Sequence, residues 1–205
     1  MKNERETREK LIESARTEFM EKGYQGASLR QICKNAGVTT GALYFFFQDK
    51  EDLFASIVDP AVERLQQFLS QHTKQELMEL QQMPGSREDN MQDDYYASRQ
   101  ILHFLYADYD VFQLILTKSQ GSRYAYCVDT FVALLQESYR LLADAQAQVM
   151  GVEPPDDYTI HWVSHIQIDA FVHLLLHEPD EEKANQYLVQ VLKYLVAGWM
   201  ALFQK

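Results

Sequence analysis

Cysteine is scarce in this 205-residue chain. The two present, Cys33 and Cys127, are too few and too far apart for a metal-binding cluster, and a reduced, cytoplasmic setting is the simplest expectation. No apolar run approaches the roughly 18 residues that a bilayer span needs. The opening MKNERETREK is charged throughout, so neither a secretory signal nor a membrane partner is expected. Strand-like alternation of useful length, internal repeats and low-complexity tracts are also missing. No nucleophile–base set, phosphate loop or metal-ligand motif stands out, so the chain does not read as an enzyme, and no cofactor or metal is expected.

Charge of one sign is concentrated in one part of the chain. Net charge is −11, yet residues 1–53 hold nine basic and nine acidic side chains and are neutral. The remaining 152 residues hold 10 basic and 21 acidic side chains and carry the whole imbalance. Such a body would be repelled by nucleic-acid phosphates unless held away from them, whereas the head would not.

The periodicity is helical almost throughout. Leu11, Ile12, Ala15, Phe19 and Met20 share a face, and Gly23 reads as the stop. Ser28 with Gln31 has capping-box spacing at the start of a short helix that ends at Gly37. Thr39 and Thr40 cap another short helix, and Asp49 caps a fourth. Pro60 predicts a kink or break in that fourth helix, as either a hinge or a bend around a core. MPGSREDN (83–90) reads as a polar loop, and helices are expected over 93–107, 111–117, 122–150, 158–176 and 181–203. The fold class is therefore all-α, with about nine helices. The last two are apolar on several sides, which suits either an intrachain core or a four-helix interface between two copies.

Residues 28–47 carry the most specific pattern: two short helices around a tight glycine turn, the spacing of a helix-turn-helix. In that motif the second helix enters the major groove of DNA. Thr39, Thr40, Gly41, Tyr44 and Phe45 would be its exposed residues, and Leu43 and Phe47 its anchors. Lys50, at the start of the next helix, is placed to hold a phosphate.

The stretch 8–54 resembles the N-terminal domain of the TetR family, the tetracycline-repressor type of bacterial transcription regulator. The resemblance lies in A-x-x-x-F (15–19), G-Y-x-x-x-S (23–28), I-x-x-x-A-G-V (32–38) and G-x-L-Y-x-x-F-x-x-K-x-x-L (41–53). It covers about a quarter of the chain. It implies a helix-turn-helix DNA-binding domain over 1–50 and an all-helical ligand-binding and dimerisation domain over 51–205. It further implies a homodimeric repressor, joined through the last two helices, that binds a palindromic double-stranded DNA operator and is released by a small-molecule effector. Carried over by position, Ser28, Arg30, Thr39, Thr40, Gly41, Ala42, Tyr44, Phe45, Phe46 and Lys50 are the DNA-facing set. The family often has a polar residue where this chain has Phe45 or Phe46. Phenylalanine cannot donate a hydrogen bond, but it can meet a thymine methyl.

The effector pocket is read from aromatic residues with polar neighbours: Tyr95, Tyr96, Arg99, His103, Tyr106, Phe112, Tyr126 and Phe131. The acidic body favours a neutral or cationic ligand, and Arg99 or Arg123 would argue otherwise if buried. One stripe stands apart. His161, His165, Asp169, His173 and His177 follow at steps of four, so neighbours share a helix face. This reads as a polar seam at an interface or pocket wall, or as a metal-responsive site. A helical interaction protein without DNA binding is the remaining alternative.

Overall fold

The computed structural model describes residues 2–82 and 91–204; the 83–90 loop expectation lies outside them. Among the described residues there are nine α-helices, one 3-10 turn and no strand. The helices are α1 (Lys2–Gly26), α2 (Leu29–Ala36), α3 (Thr40–Phe46), α4 (Lys50–Gln82), α5 (Met91–Ala107), α6 (Tyr109–Lys118), α7 (Cys127–Met150), α8 (Asp157–His177) and α9 (Glu181–Ala201). The all-α expectation holds.

The chain divides into two compact units. One takes residues 1–63 with 108–127, the other 64–107 with 128–205. The sequence reading divides at 50 and 51. In the structure the first part of α4 and all of α6 gather with the N-terminal helices, because their apolar faces close the head's core.

In this head unit α1 packs on α2 and α6. Leu11, Ala15 and Phe19 of α1, Ile32 of α2, Leu43 of α3, Leu53, Phe54 and Val58 of α4 and Leu114 of α6 are buried. Phe54 is central: its ring meets Phe19 edge-on at 4.9 Å, Tyr24 at 5.1 Å and Tyr124 at 5.6 Å. Such edge and tilted contacts suit the ring quadrupoles and bury large areas. Gly23 interrupts α1 at φ 70°, ψ 167°, and one further turn follows to Gly26.

Capping shows both agreement and correction. Ser28 Oγ accepts the Gln31 N–H at 3.4 Å, as expected. The return half of the box is not made. The Ser28 N–H donates instead to buried Glu18 Oε1 at 3.1 Å, and the Gln31 side chain donates to Asn35. A buried carboxylate from α1 competes for the donor, and its own burial requires one. Asp49 accepts the Asp52 N–H at 2.8 Å, and Asp52 reaches back to the Gln48 N–H at 2.9 Å.

The break expected at Pro60 does not occur: α4 runs through it for 33 residues. The exposed proline lies between Val58 and Ala61, both buried, and that burial offsets the one hydrogen bond lost. The helix expected over 122–150 is split, with a 3-10 turn at Arg123–Tyr126 before α7. Ser122 Oγ caps that turn by accepting the Tyr124 N–H, and the Arg123 N–H donates to Glu51 Oε1.

In the second unit α9 packs on α5 and α8. Ala143, Ala147, Ile160 and Phe203 form a core patch bordered by Tyr139 and Trp199, whose rings lie 4.8 Å apart. Asp156 and Asp180 cap α8 and α9 by accepting backbone N–H groups.

Candidate nucleic-acid interface

The interface begins with the turn. Gly37 ends α2 at φ 68°, ψ 31°, a left-handed conformation that glycine reaches without strain. The Gly37 and Val38 N–H groups return to carbonyls of α2. Two residues later Thr39 Oγ1 accepts the Ala42 N–H at 3.2 Å and starts α3. This use leaves the Thr39 hydroxyl proton available to an outside acceptor.

Helix α3 is sharply two-sided. Leu43 is fully buried and Phe47, just past its end, is 2% exposed. Tyr44 and Phe45 are 58% and 71% exposed, with Phe45 braced edge-on against Phe46 at 4.9 Å. Ser28, Arg30, Thr39, Thr40 and Gly41 are exposed, and Ala42 and Phe46 half-buried. The anchoring expectation for Leu43 and Phe47 therefore holds, and the other side of the helix offers two aromatic rings and two hydroxyls to a partner.

Lys50 is turned inward. Its ammonium donates to Gln25 O at 3.1 Å and Ala27 O at 2.9 Å, and lies 4.9 Å over the Tyr24 ring. Burial pulls its pKa below the usual lysine value. It ties the end of α1 to the start of α4, a role the spacing did not reveal. Beside it, Tyr24 donates to Glu51 Oε2 at 2.7 Å, while Tyr124 donates to Asp59 and Arg123 pairs with Asp59 at 2.7 Å. Arg8, missed in the sequence reading, lies 5.4 Å over the Phe47 ring.

The second unit contains a cavity of about 390 Å³ between α4, α5, α7 and α9, walled by Leu69, His72, Ile101, Leu142, Leu192 and Trp199 among others. None of the expected effector residues lines it. On α5 the cavity side is Ala97, Ser98 and Ile101. Tyr96 and Arg99 are exposed instead, and Tyr95 lies under the Arg99 guanidinium. His103 Nδ1 meets Glu181 at 3.0 Å, and the Tyr106 hydroxyl donates to the Leu174 and Glu178 carbonyls, so these two tie α5 to the α8–α9 junction. Phe131 is buried; Phe112 and Tyr126 belong to the head unit. Large aromatics were the signal used, whereas small residues on α5 open the space. Arg99 and Arg123 are both exposed, which removes the argument for an anionic ligand. Cys127 is buried and its thiol is pushed up to about 11, far from a reactive thiolate.

The His/Asp stripe lies along the outer side of α8. It forms two separate ring pairs, His161–His165 at 4.7 Å and His173–His177 at 4.4 Å. Among the described residues no three potential metal ligands converge. Sixteen residues of helix extend about 24 Å, so one ion reaches only neighbouring members of the stripe. Trp162 on α8 is 64% exposed, and Tyr194 on α9 is 73% exposed.

Among the described residues, α2, the Gly37 turn and α3 form a helix-turn-helix with Tyr44 and Phe45 exposed. Residues 11–57 match the family model described as bacterial regulatory proteins, tetR family. The HTH-type transcriptional repressor BepR of Brucella suis is 46% identical over 56 residues, 27% of each chain. The HTH-type transcriptional repressor AcnR of Corynebacterium glutamicum is 31% identical over 93 residues, 45% of this chain and 47% of the relative. The chain thus spans between about a quarter and a half of these relatives' length. The crystal structure of NalD, the secondary repressor of the MexAB-OprM multidrug efflux pump in Pseudomonas aeruginosa, matches with TM-score 0.63 at 19% identity, covering 97% of this chain and 98% of NalD. Residues 11–57 of the chain are thus similar to the N-terminal domain of the TetR family of bacterial regulatory proteins.

Proposed function

We propose that this chain is a homodimeric, effector-responsive transcriptional repressor that reads a palindromic DNA operator through α3. The observation that carries this reading is the pair of exposed rings, Tyr44 and Phe45, on a helix anchored from behind by Leu43 and Phe47. Exposed aromatics on so short a helix are costly to leave in water, and they suit base edges and thymine methyls. Thr39 and Thr40 hydroxyls and Arg30 contact phosphates, and Ser28 starts the supporting helix. Ala42 and Phe46 pack behind this surface, and Lys50 positions the helices rather than touching DNA.

Two heads must be held about 34–36 Å apart to enter successive major grooves. The exposed rings of Trp162 on α8 and Tyr194 on α9 support pairing of two copies there. The cavity between α4, α5, α7 and α9 is the effector site of this reading, and its mostly apolar wall suits a neutral or cationic ligand. An effector that binds one head spacing better by about 2–3 kcal/mol lowers operator affinity about 30–150-fold. No described helix is long and apolar enough to cross a membrane, and the cytoplasm is the compartment proposed.

The test is a gel shift with DNA from beside the chain's own gene. The expected result is a salt-sensitive, saturable complex of one dimer per site, lost in a Tyr44→Ala, Phe45→Ala double variant that keeps its helicity. Equal affinity for that DNA and a scrambled duplex would overturn the reading and favour a helical interaction protein.

A further inference from the structure

Four of the chain's six histidines lie on the outer side of α8, outside the cavity and outside the α3 surface. Their arrangement is more specific than a polar face requires. An ion bound to two imidazole nitrogens at about 2 Å, with about 1.2 Å from nitrogen to ring centre, sets the ring centres about 4.5 Å apart when the bonds are at right angles, and about 5.2 Å apart at the tetrahedral angle. The His161 and His165 ring centres are 4.7 Å apart, and those of His173 and His177 4.4 Å. Both spacings bring the two rings of a pair within reach of one shared ion. Among divalent first-row ions Cu(II) binds nitrogen ligands most tightly, with Ni(II) close behind.

A second observation singles out the first pair. His161 Nδ1 lies 2.9 Å from Gln136 Oε1 on α7. A carbonyl oxygen only accepts, so Nδ1 carries the proton and Nε2 keeps its lone pair. Orienting a histidine through its other ring nitrogen is how metal ligands are held ready. His161 is exposed and His165 half-buried, so an ion can reach both rings and keep water in its remaining positions.

We infer that His161 and His165 form a two-imidazole chelate for Cu(II) or Ni(II), held in the ligating tautomer by Gln136, with His173 and His177 as a second, unbuttressed pair. The inference stands on α8 and α7 alone and does not depend on the operator reading.

The experiment is calorimetric titration of the untagged full chain with CuSO4 in a non-coordinating buffer, paired with electron paramagnetic resonance of the bound ion. The expected result is about two ions per chain with dissociation constants on the order of micromolar. Nitrogen hyperfine structure should show two imidazoles at each ion. The His161→Gln, His165→Gln variant should lose one equivalent and His173→Gln, His177→Gln the other. Gln136→Leu should weaken only the first site, by about tenfold or more. To allow for a partner copy covering this face, the titration is repeated with Trp162→Asp. Undiminished binding in the His161→Gln, His165→Gln variant would overturn the inference. So would the lack of any site tighter than about 1 mM in both wild type and Trp162→Asp. Neither result bears on operator binding.

Discussion

In the unit of residues 1–63 and 108–127, ring packs on ring around Phe54, and cap and carboxylate hydrogen bonds hold the loops. In the unit of residues 64–107 and 128–205, a cavity of about 390 Å³ remains, and α8 and α9 show aromatic residues to the outside. The two units have similar helix content but different degrees of closure. The head shows exposed rings on α3, Tyr44 and Phe45, and at Tyr126 just before α7. The second unit keeps unfilled space and exposed aromatic rings, which the proposed function assigns to an effector and a second copy.

This contrast can be broken or sharpened by substitution. The largest effect is expected from Phe54→Ala, about 3–5 kcal/mol, because a dense aromatic cluster cannot collapse into the space left. Leu142→Ala, beside the existing cavity, should cost less. Both tryptophans, Trp162 and Trp199, lie in the second unit, so amide exchange in the head and tryptophan fluorescence report the two losses separately. Equal losses would remove the distinction in packing.

Next comes Trp162→Asp with Tyr194→Asp, which places charge on the exposed faces of α8 and α9. Light scattering should show monomers, and operator affinity should fall about 100-fold or more, on the order of 3 kcal/mol, since each head then binds alone. A stable dimer after this change would place the interface elsewhere. Phe45→Ala should follow at about tenfold in operator affinity, with stability unchanged within about 0.5 kcal/mol, as expected of an exposed side chain. A drop in melting temperature without a change in affinity would make Phe45 structural.

The smallest effect is expected from Tyr124→Phe, about 1 kcal/mol net, as the hydroxyl loses its bond to Asp59 and the one it accepts from Arg123. It carries a pH signature. Burial, and then the bond to Asp59, raise the Tyr124 phenol above its ordinary value. The folded head therefore holds this proton where the unfolded chain releases it. The stabilisation is complete below about pH 10 and declines as the pH rises further, by up to about 1.4 kcal/mol per unit. Tyr124→Phe should flatten that alkaline decline in a denaturation series, and an unchanged slope would assign it to other groups.

The helix-turn-helix was legible because each of its parts is local. Gly37, Thr39 and Asp49 act on backbone within a few residues, and Leu43 and Phe47 follow from spacing alone. Lys50 was read as a phosphate hook because its partners, Gln25 and Ala27, are distant in sequence and present carbonyls that carry no side-chain signal. The expected effector residues lie off the cavity for a related reason. Tyr106 and His103 have the composition of a pocket wall, but helix rotation commits them to the α8–α9 junction.

Residue order alone determined that this chain is helical, where most helices start and stop, and that its N-terminal segment resembles the TetR-family head. Those properties rest on periodicity and on hydrogen bonds spanning three or four residues. Tertiary structure alone decided that Glu18 takes the Ser28 N–H, that α4 continues through Pro60, and that the histidine stripe resolves into two ring pairs. Each of these depends on which distant surface a side chain meets, and that is settled only when the helices pack.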